Sequence, residues 1–105
     1  MAETPSLRPN RTATVEYDVA QQLRTPEEMA AYLDAWLLEA PDDLAGIARA
    51  LGDIARARGM SEVAREAGLS RESLYRALSE DGNPSFATVL KVIRALGLVL
   101  RAEPA

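Results

Sequence analysis

The residues from Ser70 onwards, SRESLYR, combine charged and hydroxyl side chains at the spacing of a short helix. On a helix that starts at Ser70, the side chains of Arg71, Glu72 and Arg76 lie on the face opposite the apolar Leu74. Polar side chains near the start of such a helix can reach the edges of DNA bases. The hydroxyl of Ser70 and the free backbone N–H groups of the first turn suit a phosphate. This segment is therefore a candidate for contact with DNA.

Each of these side chains also has a plainer interpretation. Arg71 and Arg76 could be solvated surface residues that pair with Glu72 or Glu80. Tyr75 could touch a phosphate or simply pack at the edge of the helix, and its position alone favours neither. The surrounding sequence has to decide between contact with DNA and an ordinary polar surface.

The sequence before Ser70 supplies the geometry that a helix-turn-helix requires. Ala64 is small enough for the point where two helices cross, and Gly68 follows four residues later as the left-handed residue of a turn. Ser61 and Ser70 each stand where a helix cap is needed. We therefore predict a helix-turn-helix over about residues 60–79, and the complete pattern favours DNA reading.

Three more helices are predicted around this pair, which makes the fold all-α with five helices over residues 25–105. Thr25 caps the first helix, which Pro41 stops; the second runs from near Asp42 to Gly59; Ser85 caps the last, which Gly97 closes. Gly46 and Gly52 interrupt the second helix at roughly 1 kcal/mol each relative to alanine. We expect a neighbouring helix to approach closely at these two glycines.

Apolar residues at helical spacing predict the core of this domain. They are Met29, Leu33, Trp36 and Leu37 in the first helix, Leu44, Ile47, Leu51 and Ile54 in the second, and Phe86, Val89, Leu90, Ile93 and Leu96 in the last. Trp36 lies within the apolar stripe, so we expect it to be a core residue and not an exposed anchor for a partner.

Both ends of the chain are expected to be extended. Residues 1–24 form a mobile or extended segment, in which TATVEYDV alternates so that Val15, Tyr17 and Val19 point the same way. Such a strand either pairs within the fold or adds to the sheet of a partner. At the other end, LVLRAEP could form a short terminal strand.

Composition limits the class of protein. Cysteine and histidine are absent, which removes thiolate metal sites, the commonest metal ligand and the usual general base. No apolar run approaches the ~20 residues that cross a bilayer, and the N-terminus lacks the apolar region of a signal peptide. We therefore expect a cytoplasmic binding protein, not an enzyme, with no metal, no cofactor and no membrane contact.

The acidic charge is concentrated in one block. The formal net charge is −4, and residues 25–57 hold seven acidic side chains against two arginines, a net of −5. Because salt screens exposed charges over ~8 Å, this block does not prevent residues 58–81 from contacting DNA. It does suit a basic protein as the partner of the first two helices.

Residues 55–98 resemble a known family. The stretches GLSRESLYRALS and GNPSFATVLKVIRALGL are the specific part, while VEYDVAQQL and the segment 25–54 agree more loosely. They resemble the addiction-module antidote family, a HigA-like branch of the Cro/repressor helix-turn-helix group, whose members are antitoxins of type II toxin–antitoxin operons. The resemblance covers about residues 15–100 and implies a five-helix Cro/repressor-like fold.

The resemblance also implies the partners. They are a second copy in a homodimer, the operator DNA of the antitoxin's own operon, and a small RelE/ParE/HigB-like toxin. The family's recognition helix falls on Ser70, Arg71, Glu72, Ser73, Tyr75 and Arg76.

The surfaces for the two protein partners are less defined. For the toxin, the lead-in over residues 12–24 competes with the acidic helices 25–57, and we expect both to contribute. The candidate toxin-binding residues of the lead-in are Val15, Tyr17, Val19 and Leu23. For the dimer, we expect the last helix, together with Leu98 and Leu100.

Two other functions fit the same sequence. A stand-alone phage-type repressor would use the helix-turn-helix without any toxin, and it would lack a neighbouring gene for a small basic protein. A pure protein-interaction module would keep the fold without binding DNA, in line with the nearly balanced charges of residues 58–81.

Overall fold

The structure is a computed structural model that describes residues 19–79 and 81–105. These residues form a short 3₁₀ helix, Val19–Gln22, and five α-helices, and they contain no strand. The α-helices are α1, Pro26–Glu39; α2, Leu44–Arg58; α3, Met60–Ala67; α4, Arg71–Ala77; and α5, Phe86–Ala95. The predicted all-α fold with five helices is confirmed. Within the described ranges, no helix is long and apolar enough to cross a membrane.

Helix α1 begins and ends where its sequence predicts. Thr25 Oγ1 accepts a hydrogen bond from the N–H of Glu28 at 3.1 Å, and the Glu28 carboxylate accepts one from the N–H of Thr25 at 3.2 Å. This capping box satisfies backbone donors that the helix itself leaves without partners. Pro26 occupies the first helical position, and the helix ends at Glu39, two residues before Pro41. Local sequence therefore sets both ends.

Helices α1 and α2 pack closely around Trp36, which is buried as predicted. Gly46 of α2 lies against it, since a Cβ atom built at Gly46 would collide with the Trp36 ring and the Asp43 carboxyl group. At Gly52, a Cβ atom would lie 3.3 Å from the carbonyl oxygen of Leu78. The expectation of close approach at both glycines is confirmed.

A single cluster of buried apolar side chains connects all five helices. Full burial of one leucine-sized side chain contributes roughly 1.5–3 kcal/mol. At the far end of α5, the Arg58 guanidinium donates a hydrogen bond to the carbonyl oxygen of Leu96 at 3.0 Å. The largest fully buried side chains are Leu23, Leu51, Ile54, Val63, Leu74, Val92, Leu96 and Trp36.

Three residues predicted for the core are exposed: Leu44, Phe86 and Leu90. Phe86 is 67% exposed and Leu44 is 52% exposed. Helical spacing identifies an apolar face, but it does not show where the packed neighbours end. In α5 the fully buried residues begin only at Val92, so the first turns of this helix carry apolar side chains in contact with solvent.

Neither end of the described chain forms a strand, and the strand expected over residues 12–19 lies almost entirely outside the described residues. Residues 98–105 have no regular secondary structure, because no described segment offers a strand to pair with. Leu98 instead packs half-buried against the core. In the lead-in, residues 19–22 are helical and Leu23 is buried. Burial of Leu23 holds this segment against α2, so it belongs to the folded domain.

The start of α3 differs from the prediction as well. The helix begins at Met60 with Gly59 as its N-cap, and Ser61 makes no capping hydrogen bond. Gly59 has a φ of +116°, a backbone conformation that favours glycine. Because this one residue separates α2 from α3, Ser61 already lies inside the helix.

Candidate nucleic-acid interface

The turn between α3 and α4 has the predicted geometry. Gly68 has a φ of +75°, in the left-handed region. The N–H of Leu69 donates to the carbonyl oxygen of Ala64 at 2.8 Å, and that of Gly68 donates to Arg65 at 3.1 Å. These bonds satisfy the last carbonyl groups of α3. The chain can therefore leave α3 and enter α4 within three residues.

The start of α4 is fixed by two serines. Ser70 Oγ accepts a hydrogen bond from the backbone N–H of Ser73 at 3.0 Å, and its hydroxyl donates to Ser73 Oγ at 2.9 Å. The predicted capping role of Ser70 is confirmed. A serine at this position stabilises a helix by about 1 kcal/mol relative to alanine. The pair defines where the helix begins and which residues its first turn presents.

Helix α4 is oriented by its apolar side. Leu74 is fully buried and Leu78 nearly so. Since residues three and four apart share a face, burial of Leu74 turns the other side of the helix towards solvent. The side chains that this leaves exposed are those of Arg71, Glu72, Tyr75 and Arg76, while Ser73 is half-buried. The structure thus brings the candidate DNA-contacting residues onto one accessible surface.

Arg71 is held against Tyr75 on this surface. The Arg71 guanidinium carbon lies 5.5 Å from the centroid of the Tyr75 ring. One guanidinium nitrogen lies 3.5 Å from the Tyr75 hydroxyl oxygen, at the long limit for a hydrogen bond. A cation–π contact of this kind contributes about 0.5–1 kcal/mol at an exposed site. The contact favours one arrangement of the Arg71 side chain, which stays exposed on this surface.

The candidate toxin-binding residues lie in three different situations. Val15 and Tyr17 are outside the described residues. Val19 is half-buried and packs against the core. Leu23 is only 2% exposed, so its expected contact with a toxin is corrected: the side chain stabilises the domain and is not accessible to a partner.

A buried polar network was not predicted. The Tyr32 hydroxyl donates a hydrogen bond to Asp53 Oδ2 at 2.7 Å, and Arg56 donates to Asp53 Oδ1 at 3.1 Å. Burial of the phenol, followed by its hydrogen bond to Asp53, raises the pKa of Tyr32 well above the ordinary value of 10.0. The spacing of Asp53 and Arg56 hinted at a pair on α2. No signal in the sequence linked either residue to Tyr32 on α1.

An exposed apolar corner was also missed. Leu38, near the end of α1, is 71% exposed, and Leu44 begins α2 just beyond the connecting turn. Asp34, Glu39 and Asp42 are exposed around them. The sequence assigned the acidic charge of this region correctly, but helical spacing placed Leu44 in the core. We call residues 34–44 the acidic corner.

The described residues contain no cluster of side chains that could bind a metal ion. In residues 19–79 and 81–105, no three acidic side chains cluster closely enough to bind an ion. The exposed surface of α4 offers hydrogen-bond donors and positive charge instead. The described residues therefore form an all-α fold in which α4 presents an exposed polar face.

Comparison with known proteins identifies the family. The model of the family described as "probable addiction module antidote protein" matches residues 13–104. A relative from Haemophilus influenzae, described as "Uncharacterized protein", is 53% identical over 88 residues, which are 84% of this chain and 89% of the relative. No solved structure matches significantly. The chain belongs to this family of addiction-module antidotes, which are not enzymes and which imply a toxin partner of some kind.

Proposed function

We propose that the chain is the antitoxin of a type II toxin–antitoxin module. It neutralises a small RelE/ParE/HigB-like toxin in the cytoplasm and represses its own operon by binding operator DNA. Membership of the antidote family supports the first activity. The observation that carries the second is the outward face of α4, where Arg71, Glu72 and Arg76 are exposed while Leu74 anchors the helix in the core.

In this proposal α3 and α4 act as a helix-turn-helix, with α4 in the major groove of DNA. Arg71 and Arg76 can each donate two parallel hydrogen bonds to a guanine, and Glu72 can accept one from a cytosine. The hydroxyl groups of Ser70 and Ser73, whose oxygens lie 2.9 Å apart at the start of α4, are placed to contact a phosphate oxygen. These contacts would fix the helix on the duplex and read its sequence.

A homodimer follows from the small size of α4. This helix has seven residues, so one copy reads only a few base pairs, and two copies about 34 Å apart read a palindrome. Phe86 and Leu90 are four residues apart and exposed at the start of α5, directly after the segment that follows α4. We assign the dimer contact to them, because they are the exposed large apolar side chains of the helix that we expect to form the dimer.

The acidic corner is the surface we assign to the toxin. Leu38 and Leu44 offer apolar contact, and the surrounding carboxylates complement a basic protein. Val15 and Tyr17 of the lead-in remain candidates for adding a strand to the toxin's sheet, whereas Val19 lies in the 3₁₀ helix and packs against the core. Leu23 is left out of this surface because it is buried.

The toxin assignment is tested by co-expression with the adjacent gene. We expect the wild-type chain to relieve the growth arrest that the adjacent gene causes and to co-purify with its product. The double variant Leu38→Arg/Leu44→Arg replaces apolar contact with positive charge and should lose both properties. Ser61→Arg, at an exposed residue of α3 outside the acidic corner, is the control and should keep both properties. Full neutralisation by the double variant would move the toxin surface away from the acidic corner.

A further inference from the structure

A groove of about 560 Å³ lies between α1 and the C-terminal segment, residues 98–105. Most of the side chains along it are exposed, so it is open at the surface and can admit a segment of another protein. Asp34 and Leu37 belong both to the groove and to the acidic corner, so the two surfaces are continuous. We call it the α1–C-terminal groove. It is lined by Ala30, Ala31, Leu33, Asp34 and Leu37 of α1 and by residues 98–101 and Glu103 of the C-terminal segment.

The groove offers apolar contact along both of its sides. On α1, Leu37 is half-buried, and Ala30 and Ala31 are exposed with only methyl side chains. On the other side, Val99 is 80% exposed and Leu100 is 42% exposed. Exposed apolar side chains that line one groove mark a site of contact with another protein.

The C-terminal segment presents its backbone along the groove. The N–H of Leu98 donates to the carbonyl oxygen of Ile93 at 3.1 Å and fixes the start of the segment. In the described part of the chain, residues 99–105 make no hydrogen bond. Consecutive backbone donors and acceptors without partners are a template to which another chain can add a strand. Pro104 has no N–H group, so the template covers residues 99–103.

The charges of the groove favour a basic occupant. Its charged lining residues are Asp34, Arg101 and Glu103, two carboxylates and one guanidinium, and none of them forms an ion pair with another described residue. A second copy of this acidic chain would bring the same carboxylates, and the expected strand of the lead-in carries Glu16 and Asp18. A basic protein complements this surface better than either of them.

We propose that the α1–C-terminal groove binds an edge strand of the toxin. The strand pairs with the backbone of residues 99–103, its apolar side chains cover Leu37 and Leu100, and a lysine or arginine lies beside Asp34. The dimer contact that we assign lies at the start of α5, whereas the C-terminal segment follows the end of this helix, so the dimer can bind the toxin here. This inference rests on the proposed toxin neutralisation and extends its surface beyond the acidic corner.

Filling the groove tests whether the toxin binds there. Ala31→Gln adds a longer, uncharged side chain that suits a helix, at an exposed position of α1. It should weaken binding to the purified product of the adjacent gene by roughly 5- to 150-fold, because the added atoms are forced into a packed contact. Biolayer interferometry with the immobilised product measures the affinity. Ser61→Gln, at an exposed residue of α3 outside the groove, is the control and should bind as the wild type does.

Proline substitutions test whether the backbone pairs with a strand. Each removes one N–H group, and because residues 99–102 make no hydrogen bond in the described chain, the melting temperature should stay unchanged. The N–H groups of successive residues in a strand point to opposite sides, so only alternate substitutions should weaken binding, by roughly 5- to 150-fold. The variants are Val99→Pro, Leu100→Pro, Arg101→Pro and Ala102→Pro, each compared with alanine at the same position. Equal effects at all four positions, or none, would overturn the proposal.

Further outcomes separate this inference from the proposed function. If the wild-type chain does not bind the product of the adjacent gene, the proposed toxin neutralisation fails and the groove assignment fails with it. If the wild type binds and Leu38→Arg/Leu44→Arg does not, while Ala31→Gln and the proline variants keep the wild-type affinity, only the groove assignment is wrong. If Ala31→Gln keeps its affinity for the product and sediments as a monomer, the groove binds a second copy of this chain, and the proposal is overturned.

Discussion

Arg71 is the residue on which base reading depends most in our proposal. It is exposed at the first position of α4, and its contact with Tyr75 limits the rotamers available to its long side chain. An arginine held in this way is ready to form paired hydrogen bonds. In the described part of the chain no aromatic ring lies over Arg76, further along the helix, so in our proposal it acts mainly through its charge and reach.

Arg71→Ala should weaken binding to the operator by about 1–3 kcal/mol, or roughly 5- to 150-fold. The loss should be much smaller on a scrambled duplex, because a base contact contributes to sequence discrimination. Fluorescence anisotropy on both duplexes measures the ratio, with Arg101→Ala as the control. An equal loss on both duplexes would show that Arg71 contacts the backbone and not a base.

Tyr32 should make the folded protein less stable as the pH becomes alkaline. Its pKa is raised in the folded state, so below about pH 10 the folded and unfolded chains both keep the phenolic proton. At higher pH the unfolded chain releases this proton first, and folding becomes less favourable. Tyr32→Phe should lower the melting temperature near neutral pH, since the lost bond to a carboxylate contributes about 1.5–3 kcal/mol. It should then lose less stability than wild type between about pH 9 and pH 11.

Thermal melts by circular dichroism at these pH values measure the effect of Tyr32. Tyr75→Phe, at an exposed tyrosine, is the control and should follow the wild type. If the melting temperatures of wild type and Tyr32→Phe fall equally as the pH rises, the buried phenol does not cause the loss of stability.

At the scale of helices, the sequence predicted the features that depend on near neighbours. The capping box at Thr25, the cap at Ser70 and the turn at Gly68 each involve residues within five positions of one another. Contacts between distant residues were not predictable in the same way. Tyr32 and Asp53 are 21 residues apart, and the exposure of Phe86 depends on where the helices packed against α5 end.

The two glycines of α2 provide a direct test of how closely the helices pack. Gly46→Ala should destabilise the protein by about 1–3 kcal/mol, because the new methyl group collides with Trp36 and Asp43. Gly52→Ala is the matched control: it gains roughly 1 kcal/mol of helix propensity against a milder contact with Leu78. Urea unfolding of both variants measures the difference. Equal stability would contradict the packing of α1 against α2 at Gly46.

At the scale of the whole molecule, the charges and apolar residues divide into separate surfaces. The exposed face of α4 carries arginines, while the acidic corner carries carboxylates around Leu38 and Leu44. This separation explains how a chain with a net charge of −4 can present a surface suited to DNA. It also predicts that substitutions can remove DNA binding without removing toxin binding, and toxin binding without removing DNA binding.

The proposed dimer contact is tested by substitution at the start of α5. Phe86→Glu/Leu90→Glu should convert the dimer to a monomer, because the substitution places carboxylates in an apolar contact across the two-fold axis. Sedimentation velocity measures the mass, and operator binding should weaken in parallel. Leu38→Glu, at an equally exposed leucine of α1, should remain dimeric. A dimer that persists in the double variant would place the interface elsewhere.

The most direct measurement of the central claim uses one strain with two readouts. It carries the adjacent gene under inducible control and a reporter fused to the upstream promoter. Wild type and Arg71→Ala/Arg76→Ala are expressed in it at equal levels. Our account predicts that both proteins restore growth, while only the wild type silences the reporter. Full silencing by the double variant, or growth arrest unrelieved by the wild type, would contradict the account.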